Sequence, residues 1–141
     1  MQTDKMKALI IEDSRLARLE LKNLLLEHPE ILLLGEAINA EEAHEQIERL
    51  HPDLIFLDIQ MPGKNAFELL EGLDQIPLVI FTTAFDEYAV KSFEYNALDY
   101  LLKPIKKERL AMAIQKAMDR WGETTSSRSP SFTNTWLSVV S

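Results

Sequence analysis

The segment that decides the fold has the sequence DLIFLDIQMPG and covers residues 53–63. Its first half is a short, continuous apolar run that ends in Asp58, and its second half holds Pro62 and Gly63, which favour a turn. An apolar run of this length predicts a strand that is covered on both faces, here over residues 53–58. Asp58 is therefore a carboxylate at the carboxyl end of a buried strand.

On both sides of this segment, short apolar runs alternate with stretches of helical periodicity. Strands are predicted over residues 7–11, 31–37, 53–58, 77–82 and 98–102, and helices over residues 14–28, 39–50 (with Asn39 as the cap), 66–73, 86–95 and 106–120. Five strand–helix units with strands that need cover on both faces predict an α/β protein. We expect a doubly wound, five-stranded parallel sheet in the flavodoxin-like order 2-1-3-4-5.

Composition excludes several classes of function. The formal net charge of −8 argues against nucleic-acid binding by these residues, which would need clustered Lys and Arg, and against an anionic membrane surface. The absence of cysteine excludes disulfides, thiolate nucleophiles and Cys-ligated zinc. No apolar run approaches the ~18 residues of a membrane span, so a cytoplasmic protein is the expectation.

The composition changes after Trp121. Residues 122–130 (GETTSSRSP) are rich in Ser and Thr and lack large apolar side chains, which is typical of a linker. We therefore predict one domain over residues 5–121 and a linker or tail over residues 122–141. For the apolar cluster at residues 136–140 (WLSVV), two interpretations stay open: the first strand of a missing output domain, or an extension foreign to the natural chain.

Polar side chains follow four of the five predicted strands. Ligands of open α/β sheets bind at this edge, so Glu12, Asp13, Asp58, Thr83 and Lys103 should meet there. Each alone has an ordinary explanation as a helix cap, a strand residue or a solvated side chain. Together, three carboxylates would repel one another, and a hard cation such as Mg²⁺ would relieve the repulsion. The lysine and the threonine would donate to phosphoryl oxygens, while a carboxylate needs no base to act as a nucleophile.

The chain resembles the receiver domains of bacterial two-component response regulators over about residues 5–120. The matching stretches are LIIED (9–13), DLIFLDIQMPG (53–63), FTTA (81–84) and DYLLKP (99–104). Residues 83–105 are similar to the LytR/AlgR subgroup, whose members usually carry a C-terminal LytTR DNA-binding domain.

The resemblance implies a role for each matching residue. Asp58 would be the phosphoacceptor, assisted by Lys103 and Thr83, and Tyr100 would be the aromatic switch. The Mg²⁺ ligands would be Glu12, Asp13, Asp58 and the main-chain carbonyl of Gln60. The Lys103–Pro104 bond is often cis in the family.

The resemblance also implies partners. A sensor histidine kinase would supply the phosphoryl group, and DNA would be reached only through an output domain outside this chain. Phosphorylation would alter a surface formed by the predicted fourth helix, the fifth strand and the closing helix, including Lys91, Glu94, Tyr95 and Arg109. Homodimerisation through this surface is a hypothesis, and a protein that sediments as a monomer with and without a phosphoryl mimic would refute it.

Three rival interpretations are less favoured. An aspartyl-phosphate phosphatase would need a second Asp at position 60, where the sequence has Gln60. A flavodoxin-like nucleotide binder would need a Gly- or Ser/Thr-rich loop where Glu12 and Asp13 stand. A degenerate receiver would lack one or more of the five key positions, all of which are present.

Overall fold

The computed structural model describes residues 5–85 and 97–127. Within them the elements are β1 (Met6–Ile11), α1 (Arg15–Leu25), β2 (Ile31–Ala37), α2 (Ala40–Leu50), β3 (Leu54–Asp58), α3 (Ala66–Glu71), β4 (Leu78–Thr83), β5 (Asp99–Leu102) and α4 (Lys107–Ser127), and strands and helices alternate as predicted from β1 to β4. The five strands form one parallel sheet in the order β2-β1-β3-β4-β5, which confirms the predicted fold class and topology. The helix predicted over residues 86–95 lies outside the described residues.

The sheet separates two hydrophobic clusters. β3 is buried along its whole length, and its side chains alternate between the clusters. Ile55 and Leu57 pack with α2 and α3 on one face, whereas Leu54 and Phe56 pack with α1 and α4 on the other. Cover on both faces explains why β3 is a continuous apolar run and not an alternating one.

Local signals fix where the helices begin. The side chains of Ser14 and Asn39 accept hydrogen bonds from the amides of Ala17 and Glu42, so both predicted N-caps are confirmed. Asn65 begins α3 with a capping box closed by Glu68.

Helix α1 differs from a simple amphipathic helix. Its buried residues are Leu21 and Leu25, while Leu16 and Leu19 are 65% and 49% exposed. Helix α1 therefore carries leucines on its exposed face as well as on the face that packs against the core.

Strand β2 contains a bulge. Ala8 of β1 pairs with Leu33, but the next residue, Leu9, pairs with Gly35, so Leu34 is the extra residue. A bulge shifts the alternation of side chains by one position. Glu36 is consequently placed beside Ile10, which faces α1 and α4.

The closing helix α4 is longer than predicted. Its predicted end was Arg120, but the helix continues to Ser127 and includes residues 122–127, which we had expected to be a linker. Gly122 lowers helix stability by only about 1 kcal/mol relative to alanine, and the sequence has no proline between Pro104 and Pro130. Within the described residues, no helix is long and apolar enough to cross a membrane.

Candidate functional site

The carboxyl edge of the sheet brings three carboxylates together. Glu12 follows β1, Asp13 opens the turn into α1, and Asp58 is the last residue of β3. One carboxylate oxygen from each residue lies within 4.8 Å of the other two. Glu12 and Asp58 are buried, at 4% and 3% exposure, while Asp13 is exposed. This set of clustered oxygen donors with one open side fits a hard divalent cation such as Mg²⁺.

Lys103 lies between two of these carboxylates. Its Nζ is 2.6 Å from Oε1 of Glu12 and 3.5 Å from Oδ1 of Asp58. The loop that carries it follows β5, includes a cis Lys103–Pro104 bond, and is held by a hydrogen bond from the Lys103 amide to the Thr83 carbonyl. The ammonium is therefore paired most closely with Glu12 and lies within reach of Asp58.

Main-chain amides fix both buried carboxylates. The Ser14 amide donates to Oε2 of Glu12 at 3.0 Å, and the Gln60 amide donates to Oδ1 of Asp58 at 3.3 Å. Burial and the negative charge of Glu12 raise the pKa of Asp58 to about 7, against the opposing effect of Lys103. Without a cation, Asp58 is thus only partly ionised near pH 7, and its ionisation lowers the stability of the fold.

This cost predicts that Asp58→Asn stabilises the metal-free protein. A carboxyl whose pKa is higher in the folded state lowers stability as pH rises from its unfolded value, 3.8, to its folded value near 7. The full linkage amounts to roughly 4 kcal/mol at 1.36 kcal/mol per pKa unit. We expect a gain of about 2 kcal/mol, because the buried amide keeps the cost of its own desolvation.

The measurement is urea unfolding in a chelator at several pH values. The difference between Asp58→Asn and the wild type should be small near pH 4 and largest above pH 7. Asp74→Asn, which changes an exposed carboxylate, is the control and should leave stability nearly unchanged. Equal stability of Asp58→Asn and the wild type at pH 8 would show that repulsion among the three carboxylates is weak.

Thr83 and Tyr100 are linked through the loop that follows β4. Thr83 is buried, and its Oγ1 accepts a hydrogen bond of 3.1 Å from the Phe85 amide. The Tyr100 hydroxyl donates to the Phe85 carbonyl at 2.7 Å, and the ring of Tyr100 is half-buried against the core. One residue, Phe85, therefore joins the predicted phosphoryl-binding threonine to the predicted switch tyrosine.

Arg109 was predicted to belong to an output surface, and the structure shows it engaged within the domain. Its guanidinium donates to both carboxylate oxygens of Asp99, at 2.9 and 2.6 Å, and Lys116 lies 3.4 Å from the same carboxylate. Burial pushes the pKa of Asp99 upward, but hydrogen bonds from Arg109 and the Tyr100 amide, with the nearby positive charges, leave this pKa below its usual value. The other three predicted surface residues, Lys91, Glu94 and Tyr95, lie outside the described residues.

We therefore predict that Arg109→Met destabilises the domain. The Asp99 side chain is 6% exposed, so the substitution leaves a buried carboxylate with Lys116 as its remaining cation. Because Arg109 itself is 41% exposed, we expect a loss of about 2 kcal/mol at pH 7, below the range for fully buried pairs. A depressed pKa contributes stability that is lost as pH falls, so the difference from the wild type should shrink in acid.

Urea unfolding at pH 7 and at pH 3.5 measures this effect. Arg49→Met is the matched control, because Arg49 forms an exposed pair with Glu45 within α2 and should contribute little. Equal losses for the two arginine variants would contradict a structural role of the Asp99–Arg109 pair.

Sequence reasoning missed one group at the site. The guanidinium of Arg18, on α1, donates to the main-chain carbonyls of Glu12 and Asp13 at 2.9 and 3.2 Å. The available signal was a basic residue one turn after the Ser14 cap, but a carbonyl acceptor cannot be recognised from side-chain types.

Comparison with known proteins identifies the family. Residues 8–115 match the response regulator receiver domain, and the chain belongs to this family. It is 50% identical over 115 residues to an uncharacterized response regulatory protein of Vibrio cholerae, and the match covers 80% of this chain and 48% of the relative. It is also 40% identical over 121 residues to the sensory transduction protein LytT of Enterococcus faecalis, covering 84% of this chain and 50% of the relative.

Further relatives support the same assignment. The transcriptional regulatory protein BtsR of Salmonella typhi is 46% identical over 112 residues, covering 78% of this chain and 47% of the relative. The crystal structure of the response regulatory domain of protein mrkE from Klebsiella pneumoniae superposes with a TM-score of 0.76 at 32% identity, covering 84% of this chain and 99% of that one. The resemblance to LytT-type response regulators is thereby confirmed, and the chain spans about half the length of the curated relatives it matches.

Proposed function

We propose that this domain accepts a phosphoryl group on Asp58 from a phosphohistidine of a sensor histidine kinase. The observation that carries the proposal is the position of Asp58: its carboxylate is buried among two other carboxylates within 4.8 Å, with the Lys103 ammonium 3.5 Å away. Family membership supports a signalling role for the chain, and receiver domains act in general as phosphoacceptors and not as enzymes.

Each residue of the site would have a distinct task in the transfer. An oxygen of Asp58 would attack phosphorus as the P–N bond to the kinase histidine breaks, and the histidine ring would leave with the bonding electron pair. Lys103 already contacts both buried carboxylates, so a side-chain rotation would bring its ammonium to the phosphoryl oxygens. Glu12, Asp13, Asp58 and the carbonyl of Gln60 would hold Mg²⁺, which when bound supplies positive charge to the transferring group.

Thr83 and Tyr100 would couple this chemistry to an output. The Thr83 hydroxyl, which accepts a hydrogen bond from the Phe85 amide, would donate to an oxygen of a phosphoryl group on Asp58 and would be drawn toward it. Movement of Phe85 would in turn release the Tyr100 hydroxyl from the Phe85 carbonyl. Phosphorylation would shift the equilibrium between the two conformations only by as much as it stabilises one conformation more than the other.

The output we propose is transcriptional regulation. It is supported by relatives named as sensory transduction protein LytT and transcriptional regulatory protein BtsR, whose length is about twice that of the matched region. We propose residues 5–121 as the receiver domain and assign any DNA contact to a separate output domain, because the charge of these 141 residues is −8. We also propose that the surface containing Arg109 contacts the output domain or a second copy of this chain.

An intact-mass assay tests the proposed chemistry. The protein is incubated with acetyl phosphate, a small phosphoryl donor, with and without Mg²⁺, and the expected result is a Mg²⁺-dependent gain of one phosphoryl group. Reduction with borohydride then converts an aspartyl phosphate to homoserine, and peptide mapping should place it at position 58. Label at another residue, or labelling that does not depend on Mg²⁺, would contradict the proposal.

A further inference from the structure

We propose that Arg18 is a positioning residue for the cation site. It would fix the turn that carries Glu12 and Asp13 by bridging their main-chain carbonyls to Glu36 on β2. This inference rests on the proposed function in one respect, since it presupposes that the three carboxylates bind a divalent cation.

The contacts of Arg18 define the bridge. Its Nη1 donates to the carbonyls of Glu12 and Asp13 at 2.9 and 3.2 Å, and its Nε donates to Oε1 of Glu36 at 3.0 Å. The Arg18 side chain is 15% exposed, so little solvent screens these contacts. A planar guanidinium can hold a carboxylate on one edge and two carbonyls on another, which a lysine ammonium cannot.

The bulge in β2 is what brings Glu36 to this position. Leu34 packs with the α2 face of the sheet, and the carbon that a side chain at Gly35 would add lies near Gln46 and Leu9 on that same face. Two successive residues thus point to one side, and Glu36 turns to the α1 side. Without the extra residue, Glu36 would face α2 and Arg18 would lose its carboxylate partner.

Glu36 is held from several directions. Lys22 donates to its Oε2 at 2.7 Å, and Gln46 donates to its main-chain carbonyl at 2.8 Å. The hydrogen bond from Lys22 and the charges of Lys22 and Arg18 lower the pKa of Glu36 against the effect of its burial, so it stays ionised. After loss of Arg18, Lys22 would still neutralise Glu36, so no charge is left without a partner.

The bridge acts on the orientation of the acidic side chains. Fixing the carbonyls of Glu12 and Asp13 fixes the planes of the adjoining peptide groups, and with them the directions in which the two carboxylates leave the chain. Ser14 adds a second restraint, because its amide holds the Glu12 carboxylate. Removing Arg18 should therefore let the turn sample conformations in which the three carboxylates no longer converge.

The test compares Arg18→Met, Arg18→Lys and the control Arg49→Met by Mg²⁺ titration followed through the amide resonances of Asp13, Asp58 and Gln60. Partners outside the ligand set typically alter metal affinity 10–100-fold, so we expect Arg18→Met to raise the Kd for Mg²⁺ about 10-fold. The Kd of Arg18→Lys should stay well above the wild-type value, and the Kd of Arg49→Met should equal it. With acetyl phosphate, the Mg²⁺ concentration for half-maximal labelling should rise by a similar factor, and the maximal rate should fall less than about threefold.

A metal-free readout separates positioning from folding. Amide hydrogen exchange at Ser14 should be faster in Arg18→Met in the presence of a chelator, while exchange in β3 should match the wild type. If Arg18→Met does not fold, Glu36→Gln is the second variant, and it should raise the Kd about threefold. An unchanged Kd in either folded variant would overturn the inference alone, whereas a wild type that binds no Mg²⁺ would overturn the proposed function and the inference together.

Discussion

Asp58→Asn should gain no mass from acetyl phosphate under any Mg²⁺ concentration that labels the wild type fully. The amide that replaces the carboxylate is not a nucleophile, and no neighbouring carboxylate is equivalent to Asp58. Glu12 is paired with Lys103 at 2.6 Å and with the Ser14 amide, while Asp13 is exposed at the entrance of the site. The expected effect is a complete loss of phosphoryl acceptance.

The control for this loss is Asp74→Asn. Asp74 is an exposed carboxylate between α3 and β4, so its removal should leave labelling at the wild-type level. Because Asp58→Asn is also expected to stabilise the metal-free fold, unfolding cannot account for its loss of acceptance. Stoichiometric labelling of Asp58→Asn would show that another side chain is the acceptor, and peptide mapping would then identify it.

Lys103→Met is expected to slow labelling at least 100-fold. Removing one donor that stabilises developing charge in a transition state typically costs 10²–10³ in rate. Lys103 is the described cation closest to Asp58, and methionine preserves its bulk but not its charge. Labelling rates at saturating Mg²⁺ measure the effect, with Lys107→Met, an exposed residue at the start of α4, as the control.

Mg²⁺ affinity distinguishes this explanation from simple damage to the site. Lys103 competes with a cation for Glu12 and Asp58, so its removal should leave the Kd for Mg²⁺ equal to or lower than that of the wild type. Slow labelling combined with tight Mg²⁺ binding would support a role in the transfer step. Slow labelling combined with weak Mg²⁺ binding would show that Lys103 instead maintains the arrangement of the carboxylates.

The sequence was sufficient for the fold and for the convergence of the acidic and basic groups. β3 is apolar along its length because both faces are covered, and Asp58 and Lys103 are recognisable because they follow strands that end at one edge. These features depend on side-chain types and on periodicity, which a sequence displays directly. The roles of the residues remain predictions that the experiments above would test.

Other features depend on information that periodicity does not contain. The bulge at Leu34 cannot be seen in an apolar run, and it decides which face of the sheet Glu36 occupies. Arg18 binds main-chain carbonyls, which every residue possesses. The extension of α4 to Ser127 runs through Ser- and Thr-rich residues whose composition favours a linker, although each of them costs a helix only a modest amount of free energy.

The burial of Asp58 has a consequence for how this sequence can evolve. The same carboxylate that we propose to be indispensable for signalling is the one that we expect to lower the stability of the unliganded fold, because burial and the charge of Glu12 raise its pKa. Most proteins tolerate stabilising changes, and such changes are often costly where function requires a strained site. A population of variants selected for thermal resistance alone would therefore lose Asp58 early, and its retention in a lineage would be a sign that signalling is under selection.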